Sequence, residues 1–227
     1  MKVLLFDIDG TLIRSRGAGK AAISACLREE FGIAEPIVNV DFSGATDLLI
    51  ARLVLTANAI ALTTKTLERY RRGYLSRLAV LLPQSDSHVL PGVRELLARI
   101  KATADQSLGL VTGNLEAGAR VKLEHHGLMD FFSYGGFGDV AEERAAIAQA
   151  AVTAAEGHHG RNLRREEILV IGDTSRDIAC AHAVGVRCLA VMTGLVSREA
   201  LASAGSDFLL EDLSDTAAID HILAQIG

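Results

Sequence analysis

Two carboxylates, Asp7 and Asp9, stand two residues apart in Phe-Asp-Ile-Asp-Gly-Thr-Leu, directly behind the apolar run Val3 to Phe6. A short apolar run bounded by a turn signal reads as a strand buried on both faces. Gly10 then lets the chain turn where a side chain would clash. In open parallel sheets, ligands bind at the carboxyl ends of the strands, so both carboxylates fall where chemistry is done. One aspartate can attack phosphorus and form an aspartyl-phosphate. A second beside it can give a proton to the leaving oxygen and later take one from water. Adjacent anions repel an anionic substrate unless a cation joins them, and magnesium suits both oxygen ligands and phosphate groups. The plainer reading is a strand end that begins a turn. A lone Asp-x-Asp fits that reading, whereas Asp-x-Asp-Gly-Thr behind a buried first strand is far more specific.

Two more strand ends carry polar groups. Thr112-Gly113-Asn114 follows the apolar run Leu108 to Val111. A hydroxyl and backbone N–H groups at a helix start suit an anion, although Thr112 also serves as a plain N-cap. Gly172-Asp173-Thr-Ser-Arg-Asp177 follows Ile168 to Ile171. Asp173 at the strand end can ligate a metal. Asp177, a helical turn later, faces the same way and either ligates directly or orients the first ligand. A helix start decorated with acids for its dipole explains one of the two more easily than both.

These segments resemble the first, second and fourth signatures of the haloacid dehalogenase superfamily, most of whose members are phosphatases. The resemblance implies Asp7 as nucleophile and Asp9 as acid and base. It implies Thr112 on the phosphoryl oxygens, with Gly10, Thr11, Gly113 and Asn114 around them. It also implies Asp7, Asp9, Asp173 and Asp177 as the ligand set of a magnesium ion. The third signature, normally a Lys that neutralises nucleophile and phosphate, departs from the pattern: no Lys-Pro follows Tyr134. Arg144 is the candidate replacement, able to bind two oxygens and always charged. Its alternative is an exposed helix-face arginine paired with a glutamate. Lys122 is a second cation, ranked lower for its mid-helix position. The resemblance is closest to phosphoglycolate phosphatase-like members with a helical cap. Residues 41–47 resemble a cap segment in which Lys or Arg commonly follows the glycine; here that residue is Ala45. Arg14, Arg16 and Lys20 near the hinge can supply positive charge, or simply be solvated.

The chain has 227 residues, 49% of them hydrophobic, a net charge of -5 and no Trp. Its length allows one large domain or a core with a smaller insertion. The charge and low aromatic content argue against nucleic-acid partners. Three scattered cysteines suggest reduced thiols in a cytoplasmic protein. No stretch approaches the roughly 18 apolar residues of a membrane span, and the apolar start is too short for a signal peptide. His125, His126, His158 and His159 lie at a helix end and in a loop, without zinc-ligand spacing.

The elements that must position these residues alternate. After the first strand, a basic Gly-containing stretch, 14–20, reads as a hinge. Helices follow over Ala18 to Phe31, from a cap at Thr46 or Ser43 to about Asn58, and over Thr64 to Leu82, where Pro83 breaks the pattern. No strand is expected within 13–85. From Pro91, helices are expected over 92–102, 115–126, 142–156, 175–184, 197–204 and 216–226. The strands expected between them cover 108–111, 132–134, 168–171, 187–191 and 208–210, with a polar loop over 157–165. This pattern predicts an α/β doubly wound parallel sheet, with right-handed crossovers leaving the strand ends on one edge. By resemblance, residues 1–12 and 86–227 form a Rossmann-like α/β core domain, and 13–85 an inserted all-helical cap domain.

The expected activity is magnesium-dependent hydrolysis of a small phosphate monoester, phosphoglycolate-like or sugar-phosphate-like, through an aspartyl-phosphate, by a monomer or homodimer. The alternatives are a phosphomutase of the beta-phosphoglucomutase type and a binding protein without turnover. A dehalogenase would not need the acid-base role of Asp9.

Overall fold

Along the first strand, Lys2–Phe6 (β1), side chains alternate: Val3 and Leu5 pack on one side, Leu4 and Phe6 on the other, and all four are buried. A strand covered on both faces belongs at the centre of a parallel sheet between helix layers. The computed structural model describes residues 1–40, 42 and 44–227. In it, β1 is paired on both edges within a six-stranded parallel sheet. The order across the sheet is Gly135–Gly136 (β5), Gln106–Val111 (β4), β1, Ile168–Gly172 (β6), Arg187–Val191 (β7) and Phe208–Leu210 (β8). The two strands beside β1 are β4 and β6, so the ends at Asp7, Thr112 and Asp173 are neighbours.

One face of the sheet is covered by α4 (Val93–Lys101), α5 (Glu116–His125) and α9 (Thr216–Ala224), through residues such as Leu97, Leu123 and Ile222. The other face is covered by α6 (Arg144–His159), α7 (Ser175–Ala183) and α8 (Arg198–Ser203), through Ile147, Ile178 and Leu201. The remaining helices, α1 (Ala18–Phe31), α2 (Asp47–Ala57) and α3 (Thr64–Leu81), close on one another in a third apolar cluster that takes in Leu115 at the head of α5. Thr46 caps α2 by accepting the Leu49 N–H at 3.2 Å. The alternative cap, Ser43, lies outside the described residues, as does Asp41.

Three expectations are corrected. A strand does occur within 13–85: Ile13–Arg14 (β2) pairs antiparallel with His88–Val89 (β3), so the two chain crossings to the three helices are tied to each other. A two-residue strand carries too little periodicity to show in a sequence. The strand expected at Phe132 to Tyr134 falls instead on Gly135–Gly136. There α6 presses so close that a Cβ on Gly136 would lie 2.2 Å from the Ile147 carbonyl oxygen, a reason for glycine that strand propensity does not register. Finally, α6 runs through Gly157 to His159 and stops at Gly160, where φ is 63°. Gly157 stays helical, so residues 157–159 are not loop. No helix among the described residues is long and apolar enough to cross a membrane, and the three cysteines are free and buried.

Candidate active site

The turn after β1 is built around Ile8. Its carbonyl oxygen accepts from Leu12 and Ile13 N–H at 2.9 and 3.0 Å, while Gly10, at φ 84°, donates to the Ile13 carbonyl at 2.8 Å. This folds Asp7 and Asp9 into one cavity of about 490 Å³ whose walls include Thr112, Gly113, Asn114, Lys122, Arg144 and Asp173. Within it the two aspartates have different company.

Asp7 belongs to an acidic cluster. One carboxylate oxygen from each of Asp7, Asp173 and Asp177 lies within 4.8 Å of the others, and all three residues are buried. Arg144, with its side chain buried, bridges the cluster: its Nη2 lies 3.3 Å from Asp7 Oδ2 and contacts Asp177 Oδ1. Nη1 donates to the Gly44 carbonyl at 3.2 Å. The expected arginine replacement therefore sits on the nucleophile candidate, and not on an exposed helix face. Burial raises the Asp7 carboxyl above its usual range, with Arg144 opposing and Asp177 adding to the rise. Burial, then Asp177 and Asp7, push Asp173 up further. Burial weighs against the Arg144 charge, yet Asp177 and Asp7 hold it firmly protonated.

Asp177 has a second duty. Thr174 and Asp177 form a reciprocal cap at the head of α7, with Thr174 N–H and Oγ1 donating to Asp177 Oδ2 at 2.9 and 2.6 Å. Both its oxygens thus have protein partners, and the capping and cluster readings hold together. Asp173 is hemmed by bare backbone. A Cβ on Gly10 would come 2.3 Å from Asp173 Oδ2, and one on Gly194 would come 1.8 Å from it. The loop after β7, which brings Gly194, also sends the Thr193 hydroxyl to the Gly10 carbonyl at 2.5 Å.

The Asp9 carboxylate is held by other partners than that cluster. Its Oδ2 accepts from Lys122 Nζ at 2.5 Å and Asn114 Nδ2 at 2.9 Å, and its Oδ1 from the Ser15 hydroxyl. Burial would raise this carboxyl, but Lys122, Ser15 and Asn114 together hold it below its ordinary value. Asn114 is wholly engaged. Its amide also donates to Thr112 Oγ1 at 2.8 Å, and its oxygen accepts from Lys122 at 2.5 Å. Asn114 therefore positions Asp9, Lys122 and Thr112. Thr11 likewise reaches Asp173 Oδ1, at 3.3 Å, and supports that carboxylate. Gly10, Thr112 and Gly113 line the cavity as expected.

Two further residues join the cavity, one of them ranked low in the sequence and the other, Asp47, without an assigned site role there. Lys122 was ranked low for lying mid-helix, yet α5 buries Gly118, Ala119, Lys122 and Leu123. A lysine within that buried stripe was the available signal, because an unpaired buried lysine is rare. Asp47, at the head of α2, lines the same cavity. It donates its N–H to the Gly113 carbonyl at 2.7 Å and accepts from Leu115 N–H at 2.8 Å. Burial raises its carboxyl to about 6, against the pull of Lys122.

The donor set fits a hard divalent cation. It is all oxygen, as magnesium prefers. Among the described residues, the ion pairs of the Asp7, Asp173 and Asp177 cluster are made by one cation, Arg144, so the three carboxylates, when ionised, carry more negative charge than it offsets.

The family model described as haloacid dehalogenase-like hydrolase matches residues 4–191. The chain belongs to this family. Among haloacid dehalogenase-like relatives, the phosphoglycolate phosphatase of Synechococcus elongatus is 29% identical over 217 residues, covering 95% of each chain. That of Vibrio cholerae is 28% identical over 218 residues, covering 94% of each. A hydrolase from Pseudomonas syringae shares the fold, with a TM-score of 0.72 at 22% identity over 98% of this chain and 99% of that one. In this hydrolase family the acidic strand ends described above fall within the matched span.

Proposed function

We propose that the chain is a magnesium-dependent phosphatase of small phosphate monoesters, working through an aspartyl-phosphate on Asp7. The observation that carries this reading is the separation of the two aspartates. Asp7 sits among carboxylates that need a cation, whereas Asp9, two residues on, is held apart by Lys122, Asn114 and Ser15. Two carboxylates in unlike surroundings can take unlike roles. The names of the relatives, phosphoglycolate phosphatases, support a small phosphorylated metabolite as substrate.

Asp7, Asp173 and Asp177 are the groups that would hold magnesium, which supplies positive charge to the nucleophile and the phosphoryl oxygens. Arg144 adds a fixed charge beside Asp7, and Thr112 and Gly113 line the cavity at a helix start, where an anion is favoured. Catalysis of phosphoryl transfer rests mostly on such positioning and charge. Asp7 attacks phosphorus. Asp9, which Lys122 favours as the carboxylate in the free site, takes up a proton as the ester binds, passes it to the leaving oxygen, takes another from the water that hydrolyses the aspartyl-phosphate and returns it to solvent. Over a full cycle Asp9 neither gains nor loses a proton.

In this reading α1, α2 and α3, within residues 13–85, act as a cap over a core of 1–12 and 86–227. Closing it would exclude bulk water and set substrate choice. The Asp47–Gly113 and Asp47–Leu115 hydrogen bonds would mark its closed position. The buried free cysteines suit a cytoplasmic protein, and the reading includes a monomer or homodimer.

The test is phosphate release from a panel of small phosphomonoesters, with magnesium or EDTA, beside Asp7→Asn. Release that needs magnesium and vanishes in the variant is the expected result. A folded, magnesium-bound protein that releases nothing from any ester would overturn the reading.

A further inference from the structure

Arg144 is the first residue of α6, and α6 itself gives that end little hold. Among the described residues, Glu143 before it makes no side-chain cap, and an uncapped helix start frays. Yet Arg144 carries the guanidinium that lies 3.3 Å from Asp7. Its backbone is held through the segment before it, residues 137–143, between β5 and α6.

The near end of that segment is pinned to the core. Gly138 N–H donates to the Asn114 carbonyl at 2.7 Å. A Cβ on Gly138 would lie 2.0 Å from the Gly113 carbonyl oxygen, so the segment runs directly over the turn that lines the cavity. Asp139 divides its carboxylate between two helices. Its Oδ2 accepts the Glu116 N–H of α5 at 2.5 Å, and its Oδ1 pairs with Arg71 of α3. The far end is gripped by α2. Arg52 Nε lies 2.9 Å from both Glu142 carboxylate oxygens, and Arg52 Nη2 lies 2.7 Å from Oε2. The Thr46 hydroxyl, at the head of α2, donates to the Glu142 carbonyl at 3.1 Å.

The Arg52 and Arg71 side chains are 48% and 50% exposed, and neither residue lines the cavity. Exposed ion pairs add little to stability. A forked contact between arginine and carboxylate nonetheless fixes direction as well as distance. Two ion pairs from two different helices, both on one short segment, fix the place from which Arg144 reaches Asp7.

We propose that Arg52 and Arg71 are positioning residues for the reaction: by holding Glu142 and Asp139 they set Arg144 against Asp7, so the charge beside the nucleophile depends on α2 and α3 being seated on residues 137–143. This rests on the phosphatase reading above and adds to it two residues remote from the reacting atoms.

The experiment measures kcat, KM and melting temperature with magnesium for Arg52→Gln, Arg71→Gln and the double variant, on the best ester of the phosphomonoester panel. A group misplaced by about 1 Å can cost on the order of 100-fold in rate. The double variant is therefore expected to lose about tenfold to a hundredfold in kcat, with KM little changed and melting temperature within a few degrees of the parent. Arg52→Glu combined with Glu142→Arg is expected to recover most of the kcat lost in Arg52→Glu alone. Parental kcat in the double variant overturns the inference and leaves the phosphatase reading standing. A loss of kcat that follows a loss of melting temperature, and that the exchanged pair does not recover, also overturns it, because the ion pairs are then structural only. Hydrogen exchange over residues 137–147 reads the seating without turnover, and faster exchange there in the double variant is expected. Should the parent release phosphate from no ester, the phosphatase reading falls, and exchange alone then decides the seating: parental rates over 137–147 in the double variant end it.

Discussion

Lys122 Nζ lies 2.5 Å from Asp9 Oδ2 and 2.5 Å from Asn114 Oδ1, so a lysine on the buried side of α5 fixes both the Asp9 carboxylate and the amide that braces it. General acid–base groups contribute about 10²–10⁴-fold to rate. Lys122→Met keeps the length and much of the volume of the side chain while removing the charge. It is expected to lower kcat by roughly tenfold to a hundredfold with a smaller change in KM, because Asp9 would stay in place but lose its orientation. It would also move the pH profile, since the charge that keeps the Asp9 carboxyl low is gone. Steady-state kinetics between about pH 5 and 9 checks this. An unchanged profile would make Lys122 a packing residue only.

Arg144 ties Asp7 to Asp177 inside the fold, with all three side chains buried. Removing one partner of a buried ion pair typically costs about 3–5 kcal/mol. Arg144→Met is therefore expected to lower the melting temperature sharply in EDTA. Magnesium should restore more stability to the variant than it adds to the parent, because only the variant has Asp7 and Asp177 without their guanidinium. Ligand binding raises apparent stability by mass action, so calorimetric melting with and without magnesium measures the difference. Equal increments in both proteins would remove the acidic cluster from consideration as a cation site.

Gly194 bears on the acidic cluster from the loop after β7. A methyl group there would overlap Asp173 Oδ2 at 1.8 Å, so Gly194→Ala must displace either the loop or the carboxylate. The expected outcome is weaker magnesium binding and at least a tenfold lower kcat/KM at limiting metal, with melting temperature changed by only a few degrees. Titration of activity against magnesium concentration reads this directly. A variant with parental magnesium dependence would show that the loop yields instead.

Most of the fold could be read from the chain because its signals were local and strong. The helix Ala18–Phe31 ends at Gly32, whose φ of 69° stops it where the pattern predicts. The strands at Arg187–Val191 and Phe208–Leu210 match their apolar runs. What escaped depended on neighbours distant in sequence. The Gly135–Gly136 strand exists because β4 offers it a partner, with Thr112 N–H donating to Gly136 at 3.0 Å. The β2–β3 ribbon joins segments on either side of three helices. In the candidate site, Asp7, Thr112, Asp173 and Asp177 stand out by strand ends and motif spacing, and Arg144 by the place of the third signature in the resemblance. The contacts that separate the two aspartates do not. Nothing local says that Asp9 turns to Lys122, or that Asn114 braces both of them, since these contacts cross from β1 to α5.

Stability away from the site has its own acid sensitivity, set by Glu167. The 3₁₀ turn Arg165–Glu167 leads into β6, and Glu167 accepts from Arg161 Nη2 at 2.9 Å, from Arg161 Nη1 at 3.1 Å and from Arg164 N–H at 2.9 Å. The Arg161 hydrogen bonds first, and then the Arg164 N–H, lower its carboxyl from 4.5 to about 2. A carboxyl lowered on folding stabilises the native state in its ionised form. That contribution is complete above the unfolded value and fades as pH falls toward the folded value. Glu167→Gln is therefore expected to cost about 1–2 kcal/mol near neutral pH, allowing for solvent screening of Arg161. The gap between parent and variant should narrow steadily as pH drops from about 5 to about 3, because protonation removes the same charge from the parent. Urea unfolding at several pH values measures the gap. A gap that stays constant with pH would assign the effect to hydrogen-bond shape, while one that widens would contradict the direction of the shift itself.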